Sequence, residues 1–281
     1  MFYRLSSLAL LALGVSALPS PQVDGPPANP NPPPSAPHPN IGAIKAVDPK
    51  SFPSYHTGNL NRENNVTTAS AATGPQKRWA CSSSSILTWG DSDNGGKGIQ
   101  ITNADNGWRG FYIYHNSCDY VPWKYIWIDA GATQFVSLPD GFEGRIQRGV
   151  DQTMLSGSPQ TLGTWFEISF DGAGVGWGDT SLIRGCDGAA LLWSLDGSGA
   201  WKGFTQNVLE GAPEGSYDMK NNGQWVIKAT ENGDGSINTA PRDWLISQIG
   251  TDLAYVDDYH GNPVIASGNG RFGTYWPAGR P

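Results

Sequence analysis

Residues 159–193 read PQTLGTWFEISFDGAGVGWGDTSLIRGCDGAALLW, and this stretch decides the fold. In Trp165–Phe170 the apolar Phe166, Ile168 and Phe170 alternate with Trp165, Glu167 and Ser169. A period of two predicts a strand with one apolar face and Glu167 on the other. Gly172, Gly174, Gly176 and Gly178 then permit a tight reversal, because glycine accepts positive φ without steric cost. Trp177 falls in that glycine turn, and Asp179 opens the next strand, DTSLI, which ends at Arg184-Gly185-Cys186. If the two strands pair, the polar faces of Glu167 and Asp179 meet. Two carboxylates lining a cleft bind hydroxyl-rich ligands, and with separated pKa values they act as acid and base. The competing expectation is a pair of solvated charges, since antiparallel sheets commonly wet one face.

The same pattern continues in both directions. Gly98–Asn103, Phe111–His115, Tyr125–Ile128, Gln134–Leu138 and Gly144–Arg148 read as strands before the central pair. Ala189–Leu195, Trp225–Ala229, Leu253–Val256 and Arg271–Trp276 read as strands after it. Turn signals such as Asp196-Gly197, Asn222-Gly223 and Asp234-Gly235 separate them. Many short strands at such spacing predict a mainly β domain, a sandwich or barrel. Arg242–Ile249 is the one convincing short helix.

The first 78 of the 281 residues are different material. Residues 1–17 have a basic start, a short apolar core and a small-x-small exit, which describes a secretory signal too short for a membrane span. Residues 18–78 are proline-rich, then polar, and cannot bury enough apolar surface to offset chain entropy. This leader ends in Lys77-Arg78, directly before Trp79, and that dibasic pair is expected to be cut by a kexin-type processing protease. Asn65-Val66-Thr67, a glycosylation sequon, lies in the leader. The mature chain, 79–281, holds all twelve tryptophans and all three cysteines and is long enough for one sizeable core. Its 12 Lys and Arg against 22 Asp and Glu give a formal charge of −10, which argues against nucleic acid and anionic membrane as partners. A secreted, extracellular or cell-wall monomer is expected.

Cys81, Cys118 and Cys186 allow at most one intrachain disulfide, with three pairings open. Their spacing matches no zinc site, and neither metal nor cofactor is expected. There is no G-x-S-x-G elbow, P-loop or H-E-x-x-H. The mature histidines are His115 and His260, the latter behind Asp257-Asp258 and expected to be a hydrogen-bonded loop residue.

The order of motifs resembles the thaumatin-like proteins, in a cysteine-poor fungal form. Phe111–Cys118 (FYIYHNSC) is similar to that family's opening strand, and Asp129–Arg148 to its segment ending in "GRiW-R". Thr161-Leu162 with Phe166-Glu167-Ile168 resembles "TLAEF", and Gly178–Gly185 resembles "YDvSLVDG". Ala254–Asp258 is similar to "YAYDD", and Arg271–Pro277 to the closing "YRITFCP". The resemblance implies a thaumatin-like β-sandwich with short helices in its later half. It also implies an acidic cleft that grips β-1,3-glucan and, in some members, cleaves it. Glu167 and Asp179 fall on cleft acids, and Asp252, with Asp257 and Asp258 nearby, on a late one. Arg184 stands where the family has a second aspartate, and Trp276 replaces the final cysteine, the expected partner of Cys118. No residue matches the family's cleft arginine beside "TLAE".

Three functions follow from these readings. One is a secreted carbohydrate-binding protein for cell-wall polysaccharide, using Trp165, Trp177, Arg184, Asp252, Asp257 and Asp258 around the two acids, because tryptophan offers a flat face to a sugar ring. Another is an endo-β-1,3-glucanase with Glu167 as general acid and Asp179 as nucleophile or base. The last is a non-catalytic effector or antifungal protein.

Overall fold

The computed structural model describes residues 79–150 and 152–281. Signal, leader and the Lys77-Arg78 pair lie outside the described residues. The domain is mainly β, as expected. Fourteen strands form two large sheets and a hairpin.

Sheet 1 has seven strands. In spatial order they are β1 (Ile86–Thr88), β4 (Lys124–Ile128), β3 (Arg109–His115), β6 (Glu143–Gly149), β7 (Trp165–Phe170), β8 (Gly176–Ser181) and β13 (Ile265–Ser267). Sheet 2 runs β10 (Trp201–Gly203), β9 (Leu191–Ser194), β14 (Arg271–Pro277), β2 (Gly98–Ala104) and β5 (Thr133–Ser137). Most pairings are antiparallel, but β1 with β4 and β14 with β2 are parallel. The hairpin joins β11 (Tyr217–Met219) to β12 (Trp225–Ile227). Between the sheets Phe111, Ile113, Ile146, Phe166 and Ile168 pack with Ile99, Ile101, Leu192, Phe272 and Trp276. The alternation in β7 thus buries the set that the sequence selected.

The glycine run is divided differently from the expectation. Only residues 171–174 turn, with Gly174 at φ +86°. Gly176 and Gly178 belong to β8, which starts three residues before Asp179 and ends at Ser181. The reason is packing: a Cβ on Gly176 would lie 2.6 Å from Phe272 Cε2. These glycines admit a ring from sheet 2 rather than a bend.

The resemblance implied short helices in the later half. Among the described residues that half has one α-helix, α1 (Thr239–Ile249), with Pro241 in its first turn, where a missing N–H costs nothing. It packs Leu245 and Ile249 against Phe204, Val208 and Val256 in a second apolar cluster. Residues 253–256, expected as a strand, make only a single bridge, Ser181 to Tyr255.

Cys81 and Cys118 form the disulfide, across 37 residues, and Cys186 is free and buried. Closing such a loop removes about 4 kcal/mol of unfolded-chain entropy in the chain-entropy picture. Trp79 stacks on His115 at 4.6 Å and donates its indole N–H to the Gly141 carbonyl at 2.9 Å.

One charged group crosses the core face. Arg148, on β6, has no exposed surface. It donates to the carbonyls of Pro277 and Asp187 and lies 5.8 Å from the Trp276 ring. Its Nε is 3.6 Å from Asp187 Oδ1, while Lys220 Nζ is 2.8 Å from Asp187 Oδ2. Gly188 and Gly279 flank the guanidinium so closely that a Cβ on either would collide with it.

Candidate functional site

The β6–β7–β8 register sets Arg145 opposite Glu167 and Glu167 opposite Asp179. On β3, Tyr114 lies opposite Arg145. Phenol, guanidinium and two carboxyls therefore form a row on the outer face of sheet 1. Directly opposed residues of an antiparallel pair have Cβ atoms about 4.5–5.5 Å apart, so the two acids are neighbours.

This face is not wet. Glu167 is 6% exposed and Asp179 0%, which corrects the expectation of solvated charges. The polypeptide after β8 and before β13 folds over it. Leu182 N–H donates to Tyr255 O at 2.7 Å, and Tyr255 N–H to Thr180 O at 2.8 Å. Trp177 of β8 packs with Ile183, Tyr255 and Val264 of that cover in a small apolar cluster.

Burial raises the Glu167 carboxyl to about 7. A hydrogen bond with Ser181 and the charges of Arg145 and Arg184 pull it down, and Asp258 pushes it up. The proton is favoured because desolvation penalises the anion more than the two cations help it. Arg145 is held on every side. Its Nη1 is 2.8 Å from Asp119 Oδ1, and its Nε is 3.1 Å from Gln147 Oε1. Its guanidinium lies between the rings of Tyr114 and Trp165 at 4.3 and 4.2 Å, a double cation–π arrangement. Burial pushes the Tyr114 phenol well above its ordinary value.

The sequence-predicted residues take the following places. Glu167 and Asp179 are together, as expected. Trp165 is on their face but buried, its indole N–H donating to Thr161 O at 2.8 Å. Trp177 is in β8, not in the turn, and donates to Asp171 Oδ2 at 3.2 Å. Neither indole presents an open ring to solvent. Arg184 reaches the site because the strand stops at Ser181 and Gly185 adopts φ +112°; its charge is felt at Glu167. Asp257 is fully buried and accepts from the N–H groups of Tyr259 and His260 at 3.0 and 2.9 Å. Asp258 is partly exposed, with its N–H on Glu231 Oε1 at 2.8 Å. Asp252 is exposed on the loop after α1, and no hydrogen bond or ion pair among the described residues ties it to the row. Sequence reasoning missed Arg145, Asp119 and Tyr114. The signal for Arg145 was its alternation in GRIQR, but only the β6–β7 register assigns it to Glu167.

Among the described residues no cluster of three His, Cys, Asp or Glu is arranged to hold a metal ion. No helix among them is long and apolar enough to cross a membrane.

No protein-family model matches the chain, and no curated protein matches it. Among solved structures, the crystal structure of the protein elicitor MoHrip2 from Magnaporthe oryzae is similar in part. It is 13% identical, the match covers 40% of this chain and 79% of that one, and the TM-score is 0.29. The resemblance to thaumatin-like proteins therefore stands on the ordered motifs alone.

Proposed function

We propose that the chain is a secreted, non-catalytic binding protein of the effector or antifungal kind, whose charged rim around the buried acids takes a hydroxyl-rich cell-wall glycan. β-1,3-Glucan is the class that the motif resemblance implies. The observation that carries the reading is the set of partly exposed charges, Asp119, Arg184 and Asp258, at the edge of the buried Arg145–Glu167–Asp179 row. Asp179 exposes no surface, so no glycosidic carbon has an approach to it. The groups that open to solvent are the rim charges Asp119, Arg184 and Asp258. Paired cations and carboxylates of this kind hydrogen-bond sugar hydroxyls, and the buried row behind them fixes their positions.

The test is retention on insoluble β-1,3-glucan, with release of reducing ends measured in parallel. Wild type is retained and releases none, while Arg184→Ala and Asp258→Asn are retained less. Failure of the wild type to be retained overturns the reading.

One observation favours hydrolysis as a second reading. A carboxyl raised to about 7 beside another acid is the disposition of a general acid. Reducing ends released by wild type and lost in Glu167→Gln would establish it.

A further inference from the structure

The turn after Asp257 carries the most exposed large hydrophobic side chain among the described residues, Tyr259, at 65%. His260 follows, its side chain 51% exposed. Exposure of an aromatic ring usually goes with a loose loop, but this one is tightly held. Asp257, itself fully buried, accepts the backbone N–H groups of both residues. It also holds His260 Nδ1, at 2.9 Å from Oδ1 and 2.8 Å from Oδ2. Two residues upstream, Tyr255 is bonded through both its N–H and its carbonyl to the end of β8. The Tyr255 hydroxyl also lies 3.0 Å from Asn262 Oδ1, which closes the far side of the turn. The turn is therefore hydrogen-bonded to the end of the strand that carries Asp179, and the charge of Asp258 within it is felt at Glu167.

The chemistry of the two side chains is complementary. In the tautomer that donates from Nδ1 to the Asp257 carboxylate, Nε2 is an acceptor. A phenol ring offers an apolar face at low entropic cost, since only two torsions need fixing. An exposed ring with a half-exposed imidazole next to it in sequence suits a pyranose, which has a C–H face and hydroxyls around its edge.

We propose that Tyr259 and His260 form a rim subsite for one neutral hexose unit of the glycan, with the sugar's C–H face on the Tyr259 ring and a hydroxyl donating to His260 Nε2. This rests on the glycan-binding reading above and assigns the outermost contact of the same site. A rigid platform needs little ordering on binding, so it contributes affinity that a mobile loop would lose.

The experiment is titration of laminarin oligosaccharides into the mature protein. Tyr259→Ala is expected to weaken binding about tenfold, as a lost stacking contact does, while Tyr259→Phe stays within a factor of about two. His260→Gln weakens binding less than Tyr259→Ala, because its amide oxygen still accepts. Wild-type affinity in Tyr259→Ala, with binding still lost in Arg184→Ala, overturns the rim subsite and leaves the cleft reading intact. Equal loss in Tyr259→Phe and Tyr259→Ala overturns stacking, since the hydroxyl would then be the contact. No binding by the wild type overturns both proposals together.

Discussion

Replacing Asp187 with alanine strands two cations in the interior. Arg148 exposes nothing and the Lys220 side chain 7%, and Asp187 is the acid within ion-pair distance of both. Asp187 Oδ1 also accepts the Thr164 N–H at 3.3 Å, so the variant loses a hydrogen bond as well. Breaking a buried ion pair by removing one partner costs about 3–5 kcal/mol, because the remaining charge has neither water nor counter-ion. For a domain of 150–250 residues each kcal/mol moves Tm by roughly 2–4 °C, so a fall of about 6–20 °C is expected. Lys220→Met should cost much less, since Arg148 and Asp187 still neutralise each other. The assay is thermal unfolding followed by near-UV circular dichroism at neutral pH and low salt. A shift of less than about 3 °C in Asp187→Ala would refute the reasoning, by showing that water or a rearranged carbonyl replaces the carboxylate without difficulty.

Stability should fall as pH rises from 4.5 towards 7. The folded-state proton on Glu167 is held more tightly than the unfolded one, so its contribution is complete below 4.5 and lost through about 7. Glu167→Gln, which cannot ionise, should flatten that part of the denaturation profile. Gly176→Val should lower expression or Tm sharply, because its side chain would occupy the space of the Phe272 ring; recovery in Gly176→Val/Phe272→Ala would confirm the cause. N-terminal sequencing of the secreted protein should begin at Trp79, after Lys77-Arg78, and a major species beginning near Leu18 would reject cleavage there.

Legibility of the sequence depended on what each residue touches. β7 was readable because Phe166, Ile168 and Phe170 all meet the same core. The start of β8 was not, because its glycines answer to Phe272, nearly a hundred residues later. Glu167 and Asp179 were found because strands joined by a short turn pair predictably. Arg145 needed the register between β6 and β7, which are separated by a long loop. The exposure of the two acids was misread for a similar reason. Their cover comes from residues near Tyr255, whose hydrogen bonds to β8 leave no trace in local alternation. The commitments of the two tryptophans were equally illegible: Trp165 lies on the face named for it and Trp177, placed by sequence in the turn, lies in β8, and each indole N–H is bonded within the domain.

The parallel pairing of β14 with β2 fixes the order in which the protein can mature. β14 is an interior strand of sheet 2, between β9 and β2. Thr274, on that strand, bonds to a carbonyl 174 residues earlier. A chain emerging from the ribosome or through a translocation pore thus carries β2 with one flank unoccupied until β14 arrives. Folding governed by such distant partners is slow, and unfinished strand flanks invite wrong pairings. Completion of sheet 2 after the whole chain has been made, rather than during its synthesis, is the order that this topology favours.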